Sequence, residues 1–377
     1  MLPAPEILAH IVDVHCHPQV APSIAASTIE ALPCTLCAMS TQREDQPKVA
    51  ALARARPDRI VPAFGYHPWW AHRISLNVPA RTVPDHAAHY RALFLPDPSP
   101  SPPPSAELEA AFARLLPSLP PPIPLADVLA DVRAHLIEFP AAMLGEVGID
   151  RAARIPFPAP ADAADGGNIT PALSPFSVPF AHQLAILEAQ LALAVELRRN
   201  VSLHSVKAPS QTRALFDRMA ATHGAAWFAI SVDVHSCTLS PEVWCDIEKL
   251  HPNVYISLST AINGRSPAHI ALIRASSPTR ILVESDYHNA CDAPARTWDM
   301  ARIVADTHGW SIEDVWDDRP PPDESRWGVV RRLEANWHAF VRGGHQAPVK
   351  KSTARERRWR DYSLDLVEID TEDQREL

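Results

Sequence analysis

Glycine is scarce in this chain, 11 of 377 residues, and cysteine is scarcer still at six. Six thiols over this length do not make a disulfide framework, which points to a reducing compartment, the cytoplasm or the nucleus. Positive charge is also short: 35 Lys and Arg face 44 Asp and Glu, for a net charge of −9. A broad nucleic-acid-binding surface is normally basic, so that class is disfavoured. A small phosphate site is not, because a bound metal can supply positive charge locally. No apolar run reads as long enough to span a bilayer. A cleavable leader is not expected either, because the strand-like run Ile11–Val14 starts almost at the N-terminus and already carries chemistry. No internal repeat is visible.

What is plentiful is proline, at 39 residues, together with 46% hydrophobic residues, enough for one large domain with a buried core. The prolines crowd residues 95–124 and 155–179, which read as solvated, partly extended insertions. A third cluster, Pro320-Pro321-Pro322, separates two late helix-like stretches. The expected organisation is one domain over residues 8–343 and a charged, disordered tail over 344–377, basic over Lys350–Arg360 and acidic beyond it.

Between the insertions, short apolar or β-branched runs recur and alternate with helix-like stretches. They are Ile11–Val14, Thr35–Met39, Ile60–Phe64, Met143–Val147, Val201–Leu203, Phe228–Val234, Val254–Leu258 and Ile281–Val283. About eight such strands close a parallel (β/α)₈ TIM barrel. A doubly wound open sheet shares the alternation. The polar residues decide between them. His15 and His17, His67, Glu146, His204, His235 and Asp286 all fall at or near strand C-termini, which converge on one mouth only in a barrel.

Asp13-Val14-His15-Cys16-His17 is the sharpest local signal. Period-two alternation puts Asp13, His15 and His17 on one face, where two imidazoles can share an ion and the carboxylate can hold a ring N–H. Glu146 lies on an apolar strand, and a buried carboxylate there calls for a cation or strong donors; bridging two metals meets that need. His204 and His235 suit the second metal. Asp286 can coordinate and take the proton of an attacking water, while Glu284 lies deeper and orients its neighbours. Cys34 and Cys37 match a CxxC pattern, but on a strand they point to opposite faces and read as core cysteines. Trp69-Trp70 could offer a stacking platform, although packing under a loop explains the pair equally well.

Taken jointly and in order, DVHCHP, GYHPWW, MLGEVGID, NVSLHS, DVHS and ILVESD resemble the TatD-related metal-dependent hydrolases and deoxyribonucleases. The insertions and tail are similar to a fungal branch whose members interact with a TPR subunit of the anaphase-promoting complex. The resemblance implies two divalent ions (Zn, Mn or Mg) and hydrolysis of DNA or a small phosphodiester. It places His15, His17, Glu146 and Asp286 on one ion and Glu146, His204 and His235 on the other, with His67 against the scissile phosphate. Departures fall at substrate-facing positions: Val206 stands where the family has an Arg, with Lys207 beside it. Two rivals stand beside this reading. One is an amidohydrolase acting on a C–N or ester bond, a class that often bridges its metals with a carboxylated lysine on the fourth strand, where this chain has Glu146. The other is an interaction scaffold with a vestigial site.

Overall fold

The computed structural model describes residues 2–21, 24–95, 104–158, 171–319 and 321–348. Eight parallel strands form one sheet in chain order: β1 (Val12–Cys16), β2 (Thr35–Met39), β3 (Ile60–Phe64), β4 (Met143–Asp150), β5 (Val201–Val206), β6 (Val232–Val234), β7 (Val254–Ser259) and β8 (Ile281–Glu284). The ring is drawn together just past β8. There the Asp286 amide donates to the His15 carbonyl at 3.0 Å and the His17 amide to the Tyr287 carbonyl at 2.8 Å. This is the expected barrel, with helices outside it.

Two apolar layers result from strand alternation. One lies between sheet and helices, and the other fills the barrel's interior with Val14, Cys37, Met39, Ala63, Met143, Tyr255 and Leu282. Cys34 belongs to the outer layer and Cys37 to the inner, so the CxxC thiols do face opposite ways. Trp337 and Phe340 of the last described helix, Val329–Arg342, plug the N-terminal end of the barrel. The plug is fixed by hydrogen bonds to the Phe340 carbonyl from Asn200 Nδ2 at 3.0 Å and Ser231 Oγ at 2.7 Å. Among the described residues, that plug leaves the C-terminal mouth as the open end of the barrel.

Several expectations need correction. The run Phe228–Val234 contains a strand only over Val232–Val234, and Ala225–Phe228 is helical. Trp227 and Phe228 are apolar because that turn packs inward, and a short apolar run does not reveal its period. The helix Phe180–Leu197, 18 residues with a mean hydropathy of 1.2, is long and apolar enough to cross a membrane, contrary to the sequence reading. Its Leu187, Leu191 and Val195 are instead buried in the outer core. The start of the supposed tail is also tied down: His345 Nε2 lies 2.8 Å from Ser231 Oγ. Residues 349–377, and so the charged runs, lie outside the described residues.

The insertion at 95–124 is not simply solvated. Ser105 caps a helix over Ala106–Leu115, and Ile123–Pro124 pairs with Ile74–Ser75 in a small ladder. Phe112 and Leu115 are buried in the core, because this amphipathic helix has an apolar face that must be covered. Likewise Ile155, Phe157, Phe176 and Val178, flanking the undescribed 159–170, are buried. We therefore expect Leu115→Ala, at a fully buried site, to cost about 2–5 kcal/mol in urea unfolding. A change below about 0.5 kcal/mol would show that the segment is dispensable after all.

Candidate metal centre

Every polar residue singled out at a strand end reaches the same mouth. β1 delivers His15 and, one step past its end, His17; β4 delivers Glu146; β5 delivers His204. His67 comes after β3, His235 after β6 and Asp286 after β8. The tight approach of β4 to β5 explains the glycine after Glu146-Val147: a side chain at Gly148 would collide with the His204 backbone.

Glu146 sits at the centre, and its two oxygens face different partners. Oε1 lies 2.8 Å from His235 Nε2, 2.9 Å from His204 Nδ1 and 3.1 Å from His67 Nε2. Oε2 lies 3.4 Å from His17 Nε2 and 3.6 Å from His15 Nε2. Asp286 Oδ1 closes the second group, 3.4 Å from His17 Nε2 and 3.9 Å from His15 Nε2. The His15 and His235 rings stack between the groups at 3.6 Å.

The donor spacing fits metal ions. His15 Nε2 and His17 Nε2 are 3.1 Å apart, and His204 Nδ1 and His235 Nε2 are 3.2 Å apart. Two nitrogens bound at zinc-like lengths in a tetrahedron are separated by about 3.3 Å. The charge balance agrees. Burial alone would drive His17, His204 and His235 neutral, yet the neighbouring carboxylates outweigh it and raise all three above the ordinary imidazole range. Burial likewise works to raise Glu146 and Asp286, and the surrounding imidazoles overcome it, holding both carboxyls below their usual range. A pocket that draws protons against desolvation is built for positive charge.

Hydrogen bonding sorts the imidazoles. The Trp69 amide donates to His67 Nδ1 at 3.1 Å, so in the neutral ring the proton is on Nε2, the atom facing Glu146. Burial pushes the His67 pKa down to about 4, which keeps the ring neutral. His67, Glu146 and His204 are close enough to form a further metal-binding group. An Nε2–H offers no lone pair, however, and His67 is better suited to donate. His204 differs: its Nε2 faces Asp150 Oδ2 at 3.4 Å, leaving Nδ1 toward Glu146. For His15, Ser202 Oγ engages Nδ1 at 2.7 Å and leaves Nε2 to the site.

That last contact corrects the part expected of Asp13. Asp13 Oδ1 accepts from the backbone of Ser285 at 2.9 Å and of His15 at 3.3 Å, tying β1 to the end of β8 and not holding a ring. Burial lifts its pKa to about 7. Glu284, fully buried, accepts from Ser236 N at 2.7 Å, Ser236 Oγ at 2.5 Å and Ser257 Oγ at 2.5 Å. It thereby fixes the turn after His235, where Ser236 has a φ of +40°. Sequence reasoning passed over Asp150, Ser202 and the anchoring of Trp69, whose indole Nε1 donates to Asp150 Oδ2 at 2.7 Å. Only Asp150 left a usable trace, a carboxylate two residues beyond Gly148 at the end of an apolar strand.

The mouth is a cavity of about 680 Å³ that His17, His67, Glu146, His204, His235 and Asp286 share with apolar residues such as Val20, Trp69, Val206 and Ile262 and with Lys48.

Comparison with known proteins agrees with this geometry. The profile described as TatD related DNase matches residues 12–318. The Cut9-interacting protein scn1 of Schizosaccharomyces pombe is 28% identical over 336 residues, covering 81% of this chain and 95% of that protein. Among solved structures, a TatD homologue from Escherichia coli superposes with a TM-score of 0.52 at 15% identity, over 90% of this chain and 100% of its own. An uncharacterized amidohydrolase from Saccharomyces cerevisiae gives the same TM-score at 11% identity, over 88% and 99%. At such identities the two structures bear on the fold alone, whereas the profile match spans most of the chain. The chain belongs to the TatD-related DNase family of metal-dependent hydrolases.

Proposed function

We propose that the protein hydrolyses phosphodiester bonds by attack of water, with two divalent ions side by side at the barrel mouth. The observation that carries this reading is Glu146, whose Oε2 faces His15 and His17 while its Oε1 faces His204 and His235, with His67 beside them. His15, His17 and Asp286 with Oε2 would hold one ion, and His204 and His235 with Oε1 the other. Ions bound there supply Lewis acidity toward a phosphoryl oxygen and a lowered pKa for water. The nitrogen-rich donor set suits zinc better than magnesium.

The chain's own groups do the rest. Asp286, kept ionised by the imidazoles around it, accepts the proton of the water as its oxygen bonds to phosphorus and the P–O bond to the leaving group breaks. His67 presents Nε2–H to the phosphoryl oxygen. Glu284 and Asp13 hold the backbone on either side of the mouth.

Purified protein should carry up to about two divalent ions per chain and turn over a bis-aryl phosphodiester. Elemental analysis that finds no ion after reconstitution, or turnover confined to amides and lactones, would sink the reading. The second outcome would favour an amidohydrolase, although β4 offers Glu146 and no lysine. A protein partner is a compatible second role. It is supported by the name of the S. pombe relative, and a TPR subunit of the anaphase-promoting complex, met in the cytoplasm or nucleus, is the candidate.

A further inference from the structure

The walls of the mouth narrow the substrate. Trp69 is 53% exposed, an unusual state for the largest apolar side chain, and it lines the cavity. It is nonetheless held: its indole N–H is bound to Asp150, its backbone amide to His67, and its ring meets the His67 ring edge-on at 4.7 Å. A flat face is thus fixed beside the reacting centre, at no further ordering cost when something stacks on it. Val20, Val206 and Ile262 extend the apolar lining.

Fixed positive charge is nearly absent from the same walls. Among the described lining residues Lys48 is the one Lys or Arg, and its Nζ already lies 3.9 Å from Asp45 Oδ1. A bound strand presents several phosphates, each of which needs a cation to replace its counterion. The site could balance one such charge at the metal centre and has little for the rest. A cavity of about 680 Å³ is also the size that encloses a small molecule.

We propose that the substrate is a small, singly charged diester bearing a flat apolar group that stacks on Trp69, and not a polynucleotide strand. This rests on the phosphodiesterase reading above for the reaction, but not for the binding. The test therefore measures both. Calorimetry with diphenyl phosphate should show binding to wild type and to Trp69→Phe, which keeps a ring but loses the bond to Asp150. Binding to Trp69→Leu should be about tenfold weaker, the loss of one stacked ring. Dimethyl phosphate should not distinguish the variants. In hydrolysis, KM should stay flat between about 50 and 200 mM salt and should not fall when a thymidylate is lengthened from two to ten residues.

Equal binding of diphenyl phosphate to wild type and Trp69→Leu would overturn the proposal. So would a KM that falls with chain length and rises steeply with salt. Trp69-dependent binding without hydrolysis of any diester would instead sink the phosphodiesterase reading and leave the aromatic seat standing.

Discussion

His15→Ala with His17→Ala should leave a folded barrel that binds one divalent ion fewer than wild type and hydrolyses no diester. Among the described residues the two rings supply the imidazole nitrogens facing Glu146 Oε2, so their loss leaves that oxygen and Asp286 without the partners they now share. The other group keeps its donors, because His204 and His235 reach Oε1 from β5 and β6, although His235 loses the His15 ring stacked on it at 3.6 Å. An ion's electrostatic share of catalysis is several kcal/mol, on the order of a thousandfold in rate. Elemental analysis and initial rates measure the two effects separately. Full activity in the double variant would place the site elsewhere in the chain.

Asp286→Asn is the cleaner chemical test. Asp286 has a φ of +46°, in the left-handed region, where Asn is tolerated as readily as Asp and Ala is not. The amide therefore keeps the turn and most of the hydrogen bonding, and loses the ability to take a proton. We expect an unchanged fold, weaker occupancy of the His15–His17 ion, and hydrolysis reduced by at least ~100-fold, the lower end of a general base's contribution. Circular dichroism, metal titration and initial rates separate the three. Wild-type rates in Asp286→Asn would exclude it as the proton acceptor. An inactive wild type, unaltered by the substitution, would favour an interaction scaffold.

The framework was legible because six of the eight barrel strands advertise themselves twice, by apolar content and by an ionisable residue in or just past their C-terminal halves; β2 and β7 show only the first. β4 reads as MLGEVGID, buried along its whole length, and only one of its polar residues lies amid apolar neighbours. That conflict between Glu146 and its surroundings is visible in one dimension. The strict alternation expected of Asp13, His15 and His17 is not what β1 adopts: its register shifts between Asp13 and Cys16, and Val14 beside His15 lies in the interior cluster. The fate of the Pro-rich segment at 95–124 was not, because proline content reports backbone restriction and is silent on the packing of the helix beyond it. Phe112 and Leu115 are core residues only because other segments cover them.

The sequence by itself determined the strand count, the parallel alternation and the residue types that end each strand, since these depend on local periodicity and on the cost of burying charge. Only the tertiary structure decided which atoms meet. It set Glu146 Oε1 against His204, His235 and His67 and Oε2 against His15 and His17, turned His67 into a donor through the Trp69 amide, and gave the His15 ring to Ser202 in place of Asp13. Those choices rest on strand register and on which ring nitrogen finds a partner across the barrel. Contacts such as His15 to Ser202 join residues 187 positions apart, a relation that no local pattern encodes.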